Sequence, residues 1–242
     1  MNNRIFNDSG FTLIEIVIVI IIIGIIASVA TKEMGSQIED ARFEQTKTEM
    51  GQIANAIIGN PNIYSDGVRS DFGYVGDIGA IPPNLDALVS NPGGYTTWQG
   101  PYLIGGSGND YKQDAWGVNY SFSNTTITST GSGTNIDKIY TSSSNNLLVN
   151  TVKGFIIDAG SNTPGAIYAD SVQVRLIYPD GSGSYNTAAQ FPSSDGNFSF
   201  SNIPIGNHKI EIIYLPETDT LTYTASVEPQ SVTKLEKLFP IL

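Results

Sequence analysis

Glu15 is the one ionisable side chain in an apolar run from Phe11 to Ala30. As a helix, those roughly twenty residues would cross about 30 Å of hydrocarbon. An uncompensated charge at that depth costs on the order of several kcal/mol, so a carboxylate there calls for a partner. No basic residue inside the run can serve. Proteolysis between Gly10 and Phe11 would create one, a free α-ammonium on Phe11. The chemistry at issue is therefore cleavage followed by ion pairing within a low dielectric.

Other reactive groups are sparse. The chain has no cysteine, which removes disulfides, zinc-thiolate centres and thiol catalysis together. His208 is the only histidine, set between a Gly-Asn turn and a strand, and it reads as a surface turn residue. No Gly-x-Ser-x-Gly elbow is present, the carboxylates are dispersed, and the glycine pairs around Ser132 and Ser182 belong to turns. The sequence gives no enzyme. A net charge of −11 argues against nucleic acid, which needs a basic face to neutralise phosphates.

The elements that must position Glu15 follow from hydropathy. Beyond Ala30 the helical pattern continues to Ile58 as an amphipathic stretch, with Phe43, Met50, Ile53, Ala54 and Ile57 on one face. Gly59 and Pro61 stop it. A helix over 11–58 would measure about 70 Å at 1.5 Å per residue. Residues 60–84 read as a structured loop, and Leu85 to Val89 as a short helical turn. Asn124 to Asn146 is the one biased, low-complexity stretch and reads as a flexible loop or filament surface. From Val152 the pattern turns to short strands separated by turns. Pro179–Gly183 is turn chemistry, and Asp195-Gly196 reads as a tight hairpin. Strand spacing over about ninety residues predicts a β-sandwich.

The order Gly10-Phe11-Thr12-Leu13-Ile14-Glu15 resembles the class III signal of type IV pilins and type II secretion pseudopilins. The resemblance implies that a prepilin peptidase cuts after Gly10 and methylates the new amine, and that Glu15 of one subunit meets the Phe11 ammonium of its neighbour on assembly. Two plainer readings compete. One is a secretory signal with Arg4 in its n-region and Ser28-Val29-Ala30 as a cut site. The other is a simple membrane anchor. A carboxylate inside the apolar run and the abrupt polar-to-apolar step at Gly10 argue against both. Arg4 before the run, and Lys32 followed by Glu33, Glu39 and Asp40 after it, place the leader on the cytoplasmic side.

Trp98-Gln99-Gly100-Pro101-Tyr102-Leu103 and Asp114-Ala115-Trp116-Gly117-Val118-Asn119-Tyr120 resemble hallmark stretches of the major pseudopilin of type II secretion, with Ala115 in place of the usual proline. The aromatics there read as core. That family carries a calcium loop after this point; Asp137 and Asn145 are the comparable residues, and calcium is the one cofactor the resemblance implies. With Asn145 where a second aspartate stands, the lowered charge favours a solvated loop without metal. Lys32 occupies the place where many relatives carry a proline, while Gly24 and Gly35 bracket that zone and weaken the helix. The segment from Gly154 through Pro204-Ile205-Gly206 resembles carboxypeptidase regulatory-like, transthyretin-like sandwiches.

The expected fold is thus an α+β pilin fold, a long N-terminal helix packed on a small antiparallel sheet, followed by an all-β sandwich. Its expected divisions are a leader over 1–10, a spine helix over 11–58 with 11–30 in the membrane, a pseudopilin-like region over 59–150 and the sandwich over 151–242. The resemblance implies a structural subunit of a pseudopilus or pilus-like filament that supports protein secretion. Implied partners are further copies and related pilins, the prepilin peptidase, the membrane, and an inner-membrane platform driven by a cytoplasmic ATPase. Implied location is the bacterial inner membrane, then a periplasmic or extracellular filament. The alternative is a minor or tip pilin that displays the sandwich as an adhesin or cargo-binding module.

Overall fold

A computed structural model describes residues 10–104, 110–158 and 160–239. The chain forms two compact units, one up to Gln45 and one from Thr46 onward. Helix α1 (Leu13–Ile58) runs through both. Within the first unit the described helix residues are exposed on every side, as an all-round apolar helix must be without lipid or neighbours. Gly24 and Gly35 do not interrupt α1.

Within the second unit α1 buries Thr46, Met50, Ile53, Ala54, Ala56 and Ile57. Phe43, expected in the same stripe, is 38% exposed and stands outside the buried set, which begins one turn later at Thr46. Gly59 ends the helix in the left-handed conformation, its N–H bonded to Asn55 O at 2.7 Å. The expected loop after it is more regular than its composition implies. β1 (Tyr64–Ser65) and β2 (Val68–Arg69) form a hairpin whose turn residues Asp66 and Gly67 both have positive φ, at 52° and 79°. That is the two-residue geometry for which Asp-Gly is favoured. A short α2 (Gly73–Ile78) and a 3₁₀ turn at Leu85–Leu88, capped by Asn84, follow.

The low-complexity stretch corrects an expectation. Instead of a flexible loop it contributes β4 (Thr126–Ser129) and β5 (Ile136–Ile139), which join β3 (Ser121–Phe122) in an antiparallel sheet. Ile127 and Ser129 alternate inward and are fully buried, so a period-two pattern sits beneath the Ser/Thr/Gly composition. Met50, Ile53, Ile57, Tyr74, Val75, Leu88, Ile127 and Leu147 share one core, which places the helix against this sheet. α3 (Asn145–Leu148) leads out of it.

The remaining strands are β6 (Asn150–Asp158), β7 (Val172–Pro179), β8 (Tyr185–Gln190), β9 (Asn197–Ile203), β10 (Gly206–Tyr214), β11 (Asp219–Val227) and β12 (Val232–Phe239), with α4 (Gly165–Tyr168) between β6 and β7. They make two sheets, β11-β10-β7-β8 and β12-β6-β9. Inward residues of both sheets, among them Val152, Ile156, Val174, Leu176, Phe198, Phe200 and Ile210, form a second core, which is the sandwich arrangement. Pro179–Gly183 turns between antiparallel β7 and β8 as the sequence predicts. Asp195-Gly196 does not close a hairpin. Its flanking strands β8 and β9 lie in different sheets, and the turn, with Gly196 N–H on Ser193 O at 2.8 Å, carries the chain across the sandwich.

The sandwich is joined to the pilin-like core by direct bonds. Gly181 N–H donates to Ile78 O at 2.8 Å, Thr96 N–H to Gly183 O at 2.8 Å, and Ile205 N–H to Leu147 O at 2.8 Å. Ile205, between β9 and β10, is fully buried in the first core rather than the second. At Gly79, which caps α2 with φ 78°, a Cβ would lie 2.6 Å from Pro179 O, so only glycine permits this backbone approach.

Candidate functional site

The residues at the start of α1 are held by a reciprocal cap. The Oγ1 and backbone N–H of Thr12 both donate to Glu15 Oε2, at 2.9 and 3.0 Å, while Glu15 N–H donates to Thr12 Oγ1 at 3.4 Å. Thr12 and Glu15 stand at the N-cap and third helical positions, the spacing in which each side chain satisfies the other's free N–H. A carboxylate in the first turn also faces the positive end of the helix dipole. Phe11, immediately before the cap, is 81% exposed, and Leu13, Ile14, Val17 and Ile21 are exposed in turn. The most apolar 18 residues of α1 have a mean hydropathy of 3.1, long and apolar enough to cross a membrane. Gly10, Phe11 and Glu15 are therefore gathered at one end of an uncovered apolar rod. The sequence signal for this reciprocal cap is the Thr-x-x-Glu spacing of Thr12 and Glu15.

A prokaryotic N-terminal methylation motif matches residues 5–31. The chain is 30% identical over 120 residues to the type IV major fimbrial protein FimA of Dichelobacter nodosus, covering 46% of this chain and 67% of that protein. The chain belongs to the type IV pilin and pseudopilin family. This pilin-family chain is also 28% identical over 95 residues to the type II secretion system core protein G of Xanthomonas campestris pv. campestris, covering 39% of this chain and 57% of that protein. It thus spans little more than half the length of the secretion protein. Among solved structures it resembles the major pilin subunit BcpA of Bacillus cereus, with TM-score 0.20 at 14% identity over 48% of this chain and 36% of that one. It also resembles a dioxygenase domain from Streptomyces sp. SirexAA-E, with TM-score 0.32 at 15% identity over 42% and 86%. Likenesses this low bear on neither activity nor ligand.

The two aromatic stretches of this pilin-family chain serve its core. Trp98 Nε1–H donates to Ala87 O at 3.0 Å, and Tyr102 meets both Trp98 and Tyr74 edge-on at 5.6 and 5.7 Å between ring centres. Asp114 is buried and accepts from Ser129 Oγ, Val118 N–H, Trp116 N–H and Gly131 N–H at 2.6 to 3.1 Å. Burial alone pushes its carboxyl up, and these hydrogen bonds outweigh burial and hold it below the usual carboxylate range.

Tyr102 O–H donates to Asp77 Oδ2 at 2.8 Å. Burial pushes the Asp77 carboxyl up to about 6, against the Tyr102 bond, with Asp71 adding repulsion. A carboxyl raised in the fold contributes stability below its unfolded value of 3.8 and loses it as pH rises through about 6. Asp77→Asn keeps the acceptor for Tyr102 and removes the charge. It should raise stability at pH 7.5 by roughly 1–2 kcal/mol, after discounting for partial exposure. The gain should vanish by pH 4. Melting curves at both pH values check this, and an equal gain at pH 4 would point to packing rather than charge.

Asp137 and Asn145 are both exposed. Asp137 lies on β5, its Oδ1 accepting from Thr128 Oγ1 at 2.6 Å, and Asn145 opens α3. Together they supply one carboxylate, and among the described residues no three of His, Asp or Glu gather as a metal site. That donor set does not fit the six to eight hard oxygens of calcium.

His208 corrects the expectation of a surface turn. It is buried on β10, with Nε2 2.7 Å from Pro204 O and its ring edge-on to Tyr178 at 6.3 Å. The Pro204 carbonyl accepts from Nε2–H, which satisfies the ring's donor and fixes the tautomer with Nδ1 as the acceptor. Burial lowers its pKa, against the Pro204 bond.

Proposed function

We propose that this chain is a structural filament subunit of a type II secretion pseudopilus or a type IV pilus-like fibre. The observation that carries it is Glu15, capped in the first turn of a helix whose apolar run over residues 13–30 is uncovered. In this reading residues 1–10 are a cytoplasmic leader, residues 11–30 hold the precursor in the inner membrane, and a prepilin peptidase cuts after Gly10 and methylates Phe11. Before assembly, Thr12 partly satisfies the Glu15 carboxylate. On assembly, the Phe11 ammonium of a neighbouring subunit neutralises it at low dielectric, where an unpaired carboxylate is costly. Neutralisation lets the helix leave the bilayer and fixes axial register, with Leu13, Ile14, Val17 and Ile21 packed among neighbouring helices. A membrane platform with a cytoplasmic ATPase supplies the work.

Glu15→Val should insert into membranes as the unaltered chain does, yet leave sheared filaments reduced at least tenfold by sedimentation and electron microscopy. Undiminished filaments would overturn the ion-pair mechanism. Mass spectrometry of the mature N terminus tests processing separately: a start at methylated Phe11 supports this reading, and a start at Thr31 assigns ordinary secretion. The junction through Ile205 and Gly181 favours a sandwich that is part of the subunit's body over one hung from it on a tether.

A further inference from the structure

We infer that the β12-β6-β9 sheet carries a binding site for an acidic saccharide. A cavity of about 670 Å³ opens there, lined by residues that include Lys153 and Phe155 of β6, Asn197 and Ser199 of β9, Lys234 of β12, and Gln190 at the end of β8. That volume lies within the range of ligand-sized pockets. Strand register places the β6, β9 and β12 side chains on one face. Lys153 is opposite both Lys234 and Ser199, and Phe155 is opposite Asn197.

Three features ask for an anion. Lys153 and Lys234 stand abreast on neighbouring strands, an arrangement that destabilises a sheet through like-charge repulsion. No ion pair among the described residues involves either of them, although the chain has 23 acidic residues against 12 basic. Gln190, a residue of the same lining, has its Nε2 buried without a hydrogen-bond partner. A carboxylate between the two ammonium groups would offset their repulsion.

The rest of the lining distinguishes a sugar from a peptide. β6 is the central strand, with β12 and β9 paired to its two sides, so an added peptide strand could bond only at the outer edges of β12 or β9 and not over the face that the lysines and Phe155 share. Recognition falls to side chains. Phe155 offers a half-exposed ring on which the C–H face of a pyranose can stack, and Asn197, Ser199 and Gln190 match its hydroxyls. A uronic acid combines this face with the carboxylate the lysines require. The site goes beyond the filament reading and does not depend on it.

Titration calorimetry of the full chain in detergent, with trigalacturonate as probe, tests the assignment. Trigalacturonate should bind, and its methyl ester, which has the same hydroxyls and no charge, should bind at least tenfold more weakly. The double variant Lys153→Gln/Lys234→Gln should lose at least tenfold in affinity for trigalacturonate at an unchanged or slightly raised melting temperature, since both side chains are exposed and their mutual repulsion is removed. Phe155→Ala in the lysine-intact chain should also weaken binding. No binding of trigalacturonate, equal binding of its methyl ester, or equal binding by the double variant would overturn the site. A triglutamate peptide that binds as tightly as trigalacturonate would overturn the saccharide assignment.

Discussion

Replacing Arg69 by methionine should cost the folded second unit about 3–5 kcal/mol. Arg69 is buried, and one guanidinium serves three elements at once. Nη2–H donates to Ile58 O at 2.6 Å, the last carbonyl of α1, and to Gly59 O at 3.4 Å just beyond it, while Nε–H donates to Asp71 O at 2.8 Å. Nη1 meets Glu228 Oε2 at 3.1 Å on the sandwich side, and Cζ lies 4.4 Å from the centre of the Phe72 ring. Methionine fills much of the volume but leaves those carbonyls buried without donors, each worth about 1–3 kcal/mol. Lysine should recover little, because a single ammonium cannot span the same fork. Glu228 is 46% exposed, so Glu228→Gln should cost under about 1 kcal/mol. Urea unfolding of the full chain in detergent measures all three. If Glu228→Gln were as damaging as Arg69→Met, the ion pair, and not carbonyl capping, would be what Arg69 contributes.

The second large effect is expected at Asp114. Asp114→Ala should destabilise by at least about 3 kcal/mol, since it orphans the Ser129 hydroxyl and three backbone N–H groups in a buried turn. Asp114→Asn should recover only part, because its NH₂ group replaces one acceptor with a donor among donors. The pH dependence follows from the lowered pKa. A carboxyl depressed in the fold contributes stability that is present above its unfolded value of 3.8 and is lost as pH falls through the folded value. The Asp114→Ala penalty should therefore be full at pH 7 and shrink as the pH is taken below about 4. A penalty independent of pH would assign the loss to packing.

Asp114 also explains a residue that composition hides. A Cβ on Gly131 would lie 2.5 Å from Asp114 Oδ2, so a glycine inside the Ser/Thr-rich stretch is required by a carboxylate seventeen positions earlier. This is why that stretch reads as featureless. Its period-two burial rests on few apolar residues, Ile127 and Ile136, and its glycine is set by a distant partner. The spine helix was legible because its signals are local: an uninterrupted apolar run, a stripe at Met50, Ile53 and Ile57, and a Gly-Asn-Pro stop. Asp-Gly was a weaker guide. It closes a hairpin at Asp66-Gly67, which composition concealed, and none at Asp195-Gly196, because a tight turn does not specify which sheet its flanking strands join. The burial of His208 is illegible in the sequence for a related reason, since it depends on Pro204 and Tyr178, which the fold brings to the ring. Of the candidate site, residue types and spacing gave Gly10, Phe11 and Glu15. The lysine pair on β6 and β12 was illegible, because its members are about eighty positions apart and meet only through parallel pairing.

That parallel pairing and the placement of Ile205 also govern the order in which the chain can fold as it is made. The core around α1 stays incomplete until Ile205 arrives, and β6 has no neighbour on one side until Val232–Phe239 is delivered at the far end of the chain. Such distant contacts impose a large loop-closure cost before they reward it. The first 150 residues therefore do not make a finished head that waits for an appendage. Both cores close late, and β6 keeps an unprotected edge open to proteases and chaperones until β12 has been made.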